Sequence, residues 1–284
     1  MRWDHIEGPV SVTHLRHRDG REVVLFGDRH NAFYEDCDPT DKVVVNTEQF
    51  VLVTCLTSPH QVRLCIEMGK PDPGAPARFE DRMDLLVYAF LRPTLPNLTT
   101  VWRENPEWVD DVIHSFVKIL PEYDENTRLD DEAKAYITSI LTWLRDGFGP
   151  TLHDVLTHFF EEEPVNRYMT RAHPDQVLTM SKRPFDDVLV SDLSHPTQLE
   201  YIVDFWTCLD DIFLELPWCN LIVDVESTKH HGDKFMVYLG DVHVHNISKY
   251  LTEEGFETVF ASRADEDSQC VDISTWNEQP LWGQ

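Results

Sequence analysis

Val23-Val24-Leu25-Phe26-Gly27-Asp28-Arg29-His30, near one end of the chain, is answered near the other by Met236-Val237-Tyr238-Leu239-Gly240-Asp241-Val242-His243. Each copy is a short apolar run of β character followed by Gly-Asp-x-His. A continuous apolar run of this length predicts a strand buried on both faces. A strand that ends on glycine and then offers a carboxylate and an imidazole places chemistry at the carboxyl end of a sheet. In open α/β sheets that is where ligands bind. The two ends predict one pocket fed from both halves of the chain.

Working outward, Ser11 to Leu15 and Glu22 to Phe26 predict a hairpin turning at Arg18-Asp19-Gly20. Thr47 to Leu56 has helical length and follows Asn46, a good N-cap. Val62 to Ile66 is a compact apolar strand that ends at Glu67. Strand, helix and strand joined by a right-handed crossover make the two strands parallel, with Asp28, His30 and Glu67 on one edge. Residues 1–70 therefore read as the first half of an α/β core.

Residues 71–219 change character. Lys70 to Pro76 is rich in chain breakers. Helix-like apolar spacing recurs at Asp81 to Leu91, Pro106 to Leu120, Asp130 to Trp143, Leu152 to Phe160 and Gln198 to Leu214. This stretch predicts a helical insertion or cap. Residues 220–262 return to α/β: a strand at Asn220 to Val225, the second signature strand at Phe235 to Leu239, a helix at Ile247 to Glu254 closed by Gly255, and a strand at Phe256 to Ala261. Residues 263–284 read as an acidic, irregular tail with Trp276 and Trp282 packing back. The expected fold class is α/β (α+β): a central mixed sheet with flanking helices and a large helical insertion.

Composition limits the function classes. The 284 residues hold 42% hydrophobic side chains, enough for a real core, and carry a formal charge of −27. So acidic a surface repels phosphate backbones, which argues against nucleic acid as a partner. It suits solubility, cation attraction or a basic protein partner. No window approaches a membrane span, and the first residues lack a signal-peptide run, so the expectation is an intracellular, cytoplasmic protein. Among the six cysteines there is no CxxC pair. Cys55, Cys65 and Cys208 read as small core residues, and no disulfide framework is indicated.

The candidate site gathers His30, Glu67, His243 and Asp28 as catalytic residues, and His30, Glu67, His243 and Asp241 as metal ligands. Imidazole and carboxylate together suit a divalent metal such as zinc, manganese, iron or cobalt. The same groups serve as general acid and base without one. His245 faces the same way as His243 if the backbone is extended there, and not if it is helical. The competing reading makes Asp28 and Asp241 helix N-caps.

Two known patterns resemble these motifs. Asp28-Arg29-His30 and Gly240-Asp241-Val242-His243 resemble the first and last motifs of metallophosphoesterases, but the chain has no Gly-Asp-x-x-Asp and no Gly-Asn-His-Asp/Glu between them. The ordered triplet Gly27-Asp28-Arg29-His30, Glu67 after a strand, and Gly240-Asp241-Val242-His243 resembles the superfamily of Tiki and TraB/PrgY proteins, erythromycin esterase and ChaN-like haem-binding proteins. It looks most like the versions found in large DNA viruses. The likeness covers residues 20–70 and 220–262. It implies hydrolysis of a peptide or ester bond in a small-molecule or peptide substrate, by a metal-dependent or a histidine-based route. His30 and His243 would be ligands or bases, Glu67 a ligand or water activator, and Asp28 an orienting partner for His30. Arg167, in Asn166-Arg167-Tyr168-Met169, would match the family's middle-helix arginine. The competing expectation is a non-catalytic structural or host-interaction protein that keeps the fold and is virion-associated.

Overall fold

In the computed structural model the described residues are 2–29, 37, 42–69, 95–103, 105–119, 129–172, 179–189, 196–223, 233–265, 268–276 and 281–282. They form two compact units, Met1–Glu104 with Trp218–Gln284, and Asn105–Pro217.

The first unit is built on strands β1 (His5–Glu7), β2 (Ser11–His17), β3 (Glu22–Asp28), β4 (Val44–Asn46), β5 (Val62–Gly69), β6 (Leu98–Arg103), β7 (Lys234–Gly240), β8 (Phe256–Arg263) and β9 (Cys270–Asp272). Its main sheet runs β6-β5-β7-β3-β2-β8, and a small sheet runs β4-β1-β9. β6, β5, β7 and β3 are mutually parallel, whereas β2 is antiparallel to both β3 and β8. The architecture is thus a mixed sheet with flanking helices, as the sequence predicts. Every residue of β3 and β7 is buried, which is what two continuous apolar runs require.

The two signature strands lie side by side, one residue out of phase: Gly27 pairs with Leu239, and Asp28 with Gly240. Between them and the β5 edge the connections diverge. β5 is followed in the sheet by β6 on one side, while β7 leads through a helix to β8 on the other. The gap between the ends of β5 and β7 is therefore the topological switch point of the sheet, the usual place for a ligand.

Helix α1 (Thr47–Thr57) starts where expected. Asn46 Oδ1 accepts the Gln49 N–H at 2.8 Å. At its other end Asn97 Nδ2 donates to the carbonyls of Cys55, Ser58 and His60, giving partners to groups that a helix end leaves unpaired. α1 covers one face of the sheet with Phe50, Val51 and Cys55, where Val24, Phe26, Leu64, Ile66 and Tyr238 join Trp276 in one core. Trp276 stacks on Phe260 with ring centroids 4.9 Å apart, so this part of the tail does pack back.

The second unit is helical: α2 (Glu107–Ile119), α3 (Asp131–Phe148), α4 (Leu152–Phe159), α5 (Glu162–Ala172), α6 (Phe185–Leu189) and most of α7 (Pro196–Val223). Thr151 and Asp154 close a reciprocal capping box at the start of α4. α8 (Asp241–Glu253) belongs to the first unit and ends before Gly255, whose φ of 91° suits glycine.

Four expectations change. Asn220 to Val223 is not a strand but the end of α7, which continues past Pro217. Trp218, Cys219 and Ile222 are buried at helical spacing, and the Arg21 guanidinium donates to the Ile222 and Val223 carbonyls at 2.9 Å. Leu98–Arg103, inside the stretch read as helical insertion, is a sheet strand whose β-branched and aromatic residues suit that role. The tail contains strand β9. Cys37 and Cys270 form a disulfide, so the absence of disulfides is corrected; their remote positions leave no local spacing signal. The expected helix at Asp81 to Leu91 lies outside the described residues. No helix among the described residues is long and apolar enough to cross a membrane.

Candidate active site at the carboxyl edge of the sheet

Glu67 follows the last core-facing residue of β5, Ile66, and His243 lies in the first turn of α8. Glu67 Oε2 accepts the Gly240 N–H at 2.6 Å, a charge-assisted bond to the last residue of β7. That bond fixes the carboxylate across the switch point. Its other oxygen, Oε1, stands 3.9 Å from His243 Nε2, with the two side chains 15% and 11% exposed. A separation of 3.9 Å is too long for a direct hydrogen bond but is spanned by a single water or ion. With metal bonds of about 2.0–2.2 Å, two ligand atoms of one ion stand at most about 4.3 Å apart. Glu67 and His243 therefore fit either a shared divalent ion or a carboxylate–imidazole pair working on water.

The other predicted residues are distributed differently. Asp241 is the first residue of α8, and the N-cap position is taken by Gly240, not by the acid. Its Oδ1 accepts the Ser11 hydroxyl at 2.5 Å, and its Oδ2 accepts from the Arg263 guanidinium. Gly27 permits this arrangement. A Cβ there would lie 2.6 Å from Asp241 Oδ1 and 3.0 Å from Asp241 Cα, closer than side chains tolerate. The glycine of the first motif thus makes room for the acid of the second.

Asp28 is buried, and its Oδ1 accepts the Arg29 N–H at 2.8 Å and the Gln269 amide at 3.3 Å. Strand alternation puts it on the Val24 and Phe26 side of the sheet, opposite the side where Gly27 meets Asp241. His245 is exposed on α8, and the backbone from His243 to His245 is helical, so the two imidazoles point different ways. Arg167 lies on α5 in the second unit and donates to Glu163, one helical turn away. His30 lies outside the described residues.

The sequence reading passes over two further acids, Asp211 and Glu215. Both are buried on α7, four residues apart and so on one face, and each offers an oxygen within 4.8 Å of the other's. Glu215 also accepts the Tyr168 hydroxyl. Within the second unit this pair could supply carboxylate oxygens to a metal ion. The available signal was three acids, Asp210, Asp211 and Glu215, within the otherwise apolar run of Leu209 to Leu216, where an acid is seldom buried without a partner. Cysteine chemistry has less support. Burial pushes the Cys55 and Cys65 thiols up to about 12, far from the thiolate a nucleophile needs.

The chain matches no protein-family model, no curated protein and no solved structure.

Proposed function

We propose that this protein is a hydrolase of peptide or ester bonds whose reactive centre is Glu67 and His243. The observation that carries the reading is the 3.9 Å approach of Glu67 Oε1 to His243 Nε2 at the switch point of the sheet. The resemblance of the ordered motifs to the Tiki, TraB and erythromycin esterase superfamily supports it and adds His30 as a third member.

In this reading a water sits between the carboxylate and the imidazole. His243 takes its proton as the water oxygen attacks the carbonyl carbon, and returns that proton to the leaving alkoxide or amine. Glu67, held by the Gly240 N–H, stabilises the imidazolium formed on the way. A divalent ion held by Glu67 and His243 would lower the pKa of its bound water and polarise the carbonyl. The charge of −27 disfavours strongly anionic substrates.

The test compares wild type with Glu67→Gln and His243→Ala on p-nitrophenyl esters and a mixed peptide library, with elemental analysis of each protein. The expected result is hydrolysis by wild type and a loss of about 10²- to 10⁴-fold in each variant, the range for general acid–base groups. Loss of a bound metal with the activity would assign the ion to this pair. Equal activity in all three proteins, or none in any, would overturn the proposal.

A further inference from the structure

The acid of the second signature motif serves a different place from the Glu67–His243 pair. A groove of about 360 Å³ runs between α8 and the face formed by β2 and β8, within the range of small-molecule sites. Its walls are rich in hydroxyls, from Ser11, Thr13, Ser248 and Thr258, and its charged groups are Asp241 and Arg263, already joined to each other. His245 adds a ring that can donate or accept. Val244 and Ala261 provide a small apolar patch.

We propose that this groove binds a neutral polyhydroxylated ligand, a saccharide. The charges of Asp241 and Arg263 cancel, and the protein's excess of acid repels a free anion. Hydroxyl side chains both donate and accept, which matches the hydroxyls of a sugar better than it matches a carboxylate or phosphate. The Asp241 carboxylate and the Arg263 guanidinium offer an acceptor and a donor side by side, while Val244 and Ala261 suit the C–H face of a sugar ring. No Phe, Tyr or Trp lines the groove among the described residues, which disfavours a stacked base.

One atom in particular calls for a partner. Ser248 Oγ is shut off from solvent and has no hydrogen-bond partner among the described residues, although it lines the groove. A buried hydroxyl left unmatched is unfavourable, and a turn of the Ser248 side chain to the groove surface would give it a ligand hydroxyl as partner.

The test is an amide-resolved NMR titration of the full chain with glucose and N-acetylglucosamine, with inorganic phosphate and acetate as separate arms. The expected result is saturable shifts at the amides of Ser11, Thr13 and Ser248 with one of the two sugars, at a dissociation constant on the order of 1 mM. Ala261→Phe, at an exposed position facing the groove, should weaken that binding at least about tenfold while leaving ester or peptide hydrolysis unchanged. Ser248→Val, which removes the unmatched hydroxyl, should weaken it in the same direction and serves if Ala261→Phe does not fold. The proposal is overturned if neither sugar moves these amides at about 100 mM, if phosphate or acetate moves them more than the sugars do, or if binding is unaffected by filling the groove.

Discussion

Replacing Glu22 by glutamine (Glu22→Gln) keeps the shape of a buried side chain while removing the charge that four partners share. Glu22 Oε1 accepts from Lys234 Nζ at 3.0 Å, and Oε2 accepts from His14 Nε2 and Trp282 Nε1 at 2.9 Å and from Arg16 at 3.3 Å. Glu22 and Lys234 stand opposite each other in the β3–β7 pairing, with side chains 10% and 7% exposed. In the variant Lys234 keeps the Gly20 carbonyl at 2.8 Å but loses its counter-charge, and the one amide oxygen left cannot serve both Lys234 and the donors on the Oε2 side, so an NH2 must face a donor. Breaking a buried pair from one side costs about 3–5 kcal/mol because the other charge stays buried. At 1.4 kcal/mol per tenfold, amide protection along β7 should fall by about 100- to 4,000-fold. Hydrogen exchange read at β7 is the right assay, since a chain of two units need not melt in one step. The double variant Glu22→Leu/Lys234→Met should cost less than the two single changes added together. A loss of protection under tenfold, or strict additivity, would refute the reasoning. The same carboxylate sets a pH limit. Burial alone would raise its pKa, but hydrogen bonds from His14, Lys234 and Arg16 outweigh that and hold it well below the usual 4.5. A depressed carboxylate stabilises the fold above its unfolded value. That stability should drain away as pH falls below 4.5, and β7 protection measured down that range should decline more steeply in wild type than in Glu22→Gln, where only other depressed carboxylates such as Asp19 still contribute.

Two further outcomes follow from close contacts. Gly27→Ala places a methyl 2.6 Å from Asp241 Oδ1 and 3.0 Å from its Cα, so the start of α8 must shift; thermal unfolding should show a loss of about 1–3 kcal/mol, and an unchanged midpoint would deny the close approach. Replacing both Cys37 and Cys270 by serine removes a bond that links residues 233 positions apart; chemical denaturation should register a loss of about 2–5 kcal/mol, and peptide mapping without reductant should recover the two cysteines linked in wild type.

What could be read from the chain depended on how local the cause was. The hairpin at β2 and β3, the Asn46 cap and the buried strands β5 and β7 each rest on residues within one turn or one run, and those appear as expected. Val223 and its neighbours did not, because a short apolar run suits a strand and a buried helix equally. The choice was made by distant Arg21, which supplies the carbonyl partners of that helix end. The groove residues were equally hidden. Ser11 and Arg263 meet only because β2 pairs with β8, and no spacing along the chain reports that pairing. The approach of Glu67 to His243, by contrast, was foreseeable, since both stand at ends of strands expected to share one edge.

The repeated Gly-Asp-x-His phrase shows why likeness in sequence is not equivalence in space. In a sheet, a shift of one residue moves a side chain to the other face. β3 and β7 pair with such a shift, Asp28 lying level with Gly240 rather than with Asp241. Asp28 is still strand and faces the α1 core, whereas Asp241 is already helix and faces the groove beside β8. Two identical acids therefore enter different environments, one held by Gln269 and the other by Ser11 and Arg263. The glycines differ as well: Gly27 gives room to the neighbouring helix, and Gly240 lends its N–H to Glu67. The chemistry proposed for this protein consequently draws on a strand between the two copies, through Glu67, and on the histidine of only one copy among the described residues, His243. If the two copies were functionally equivalent, Asp28→Asn and Asp241→Asn would change hydrolysis alike. Their separate surroundings predict that Asp241→Asn acts on the saccharide groove while Asp28→Asn acts on the packing of Gln269, and hydrolysis and sugar binding measured side by side on the two variants distinguish these outcomes.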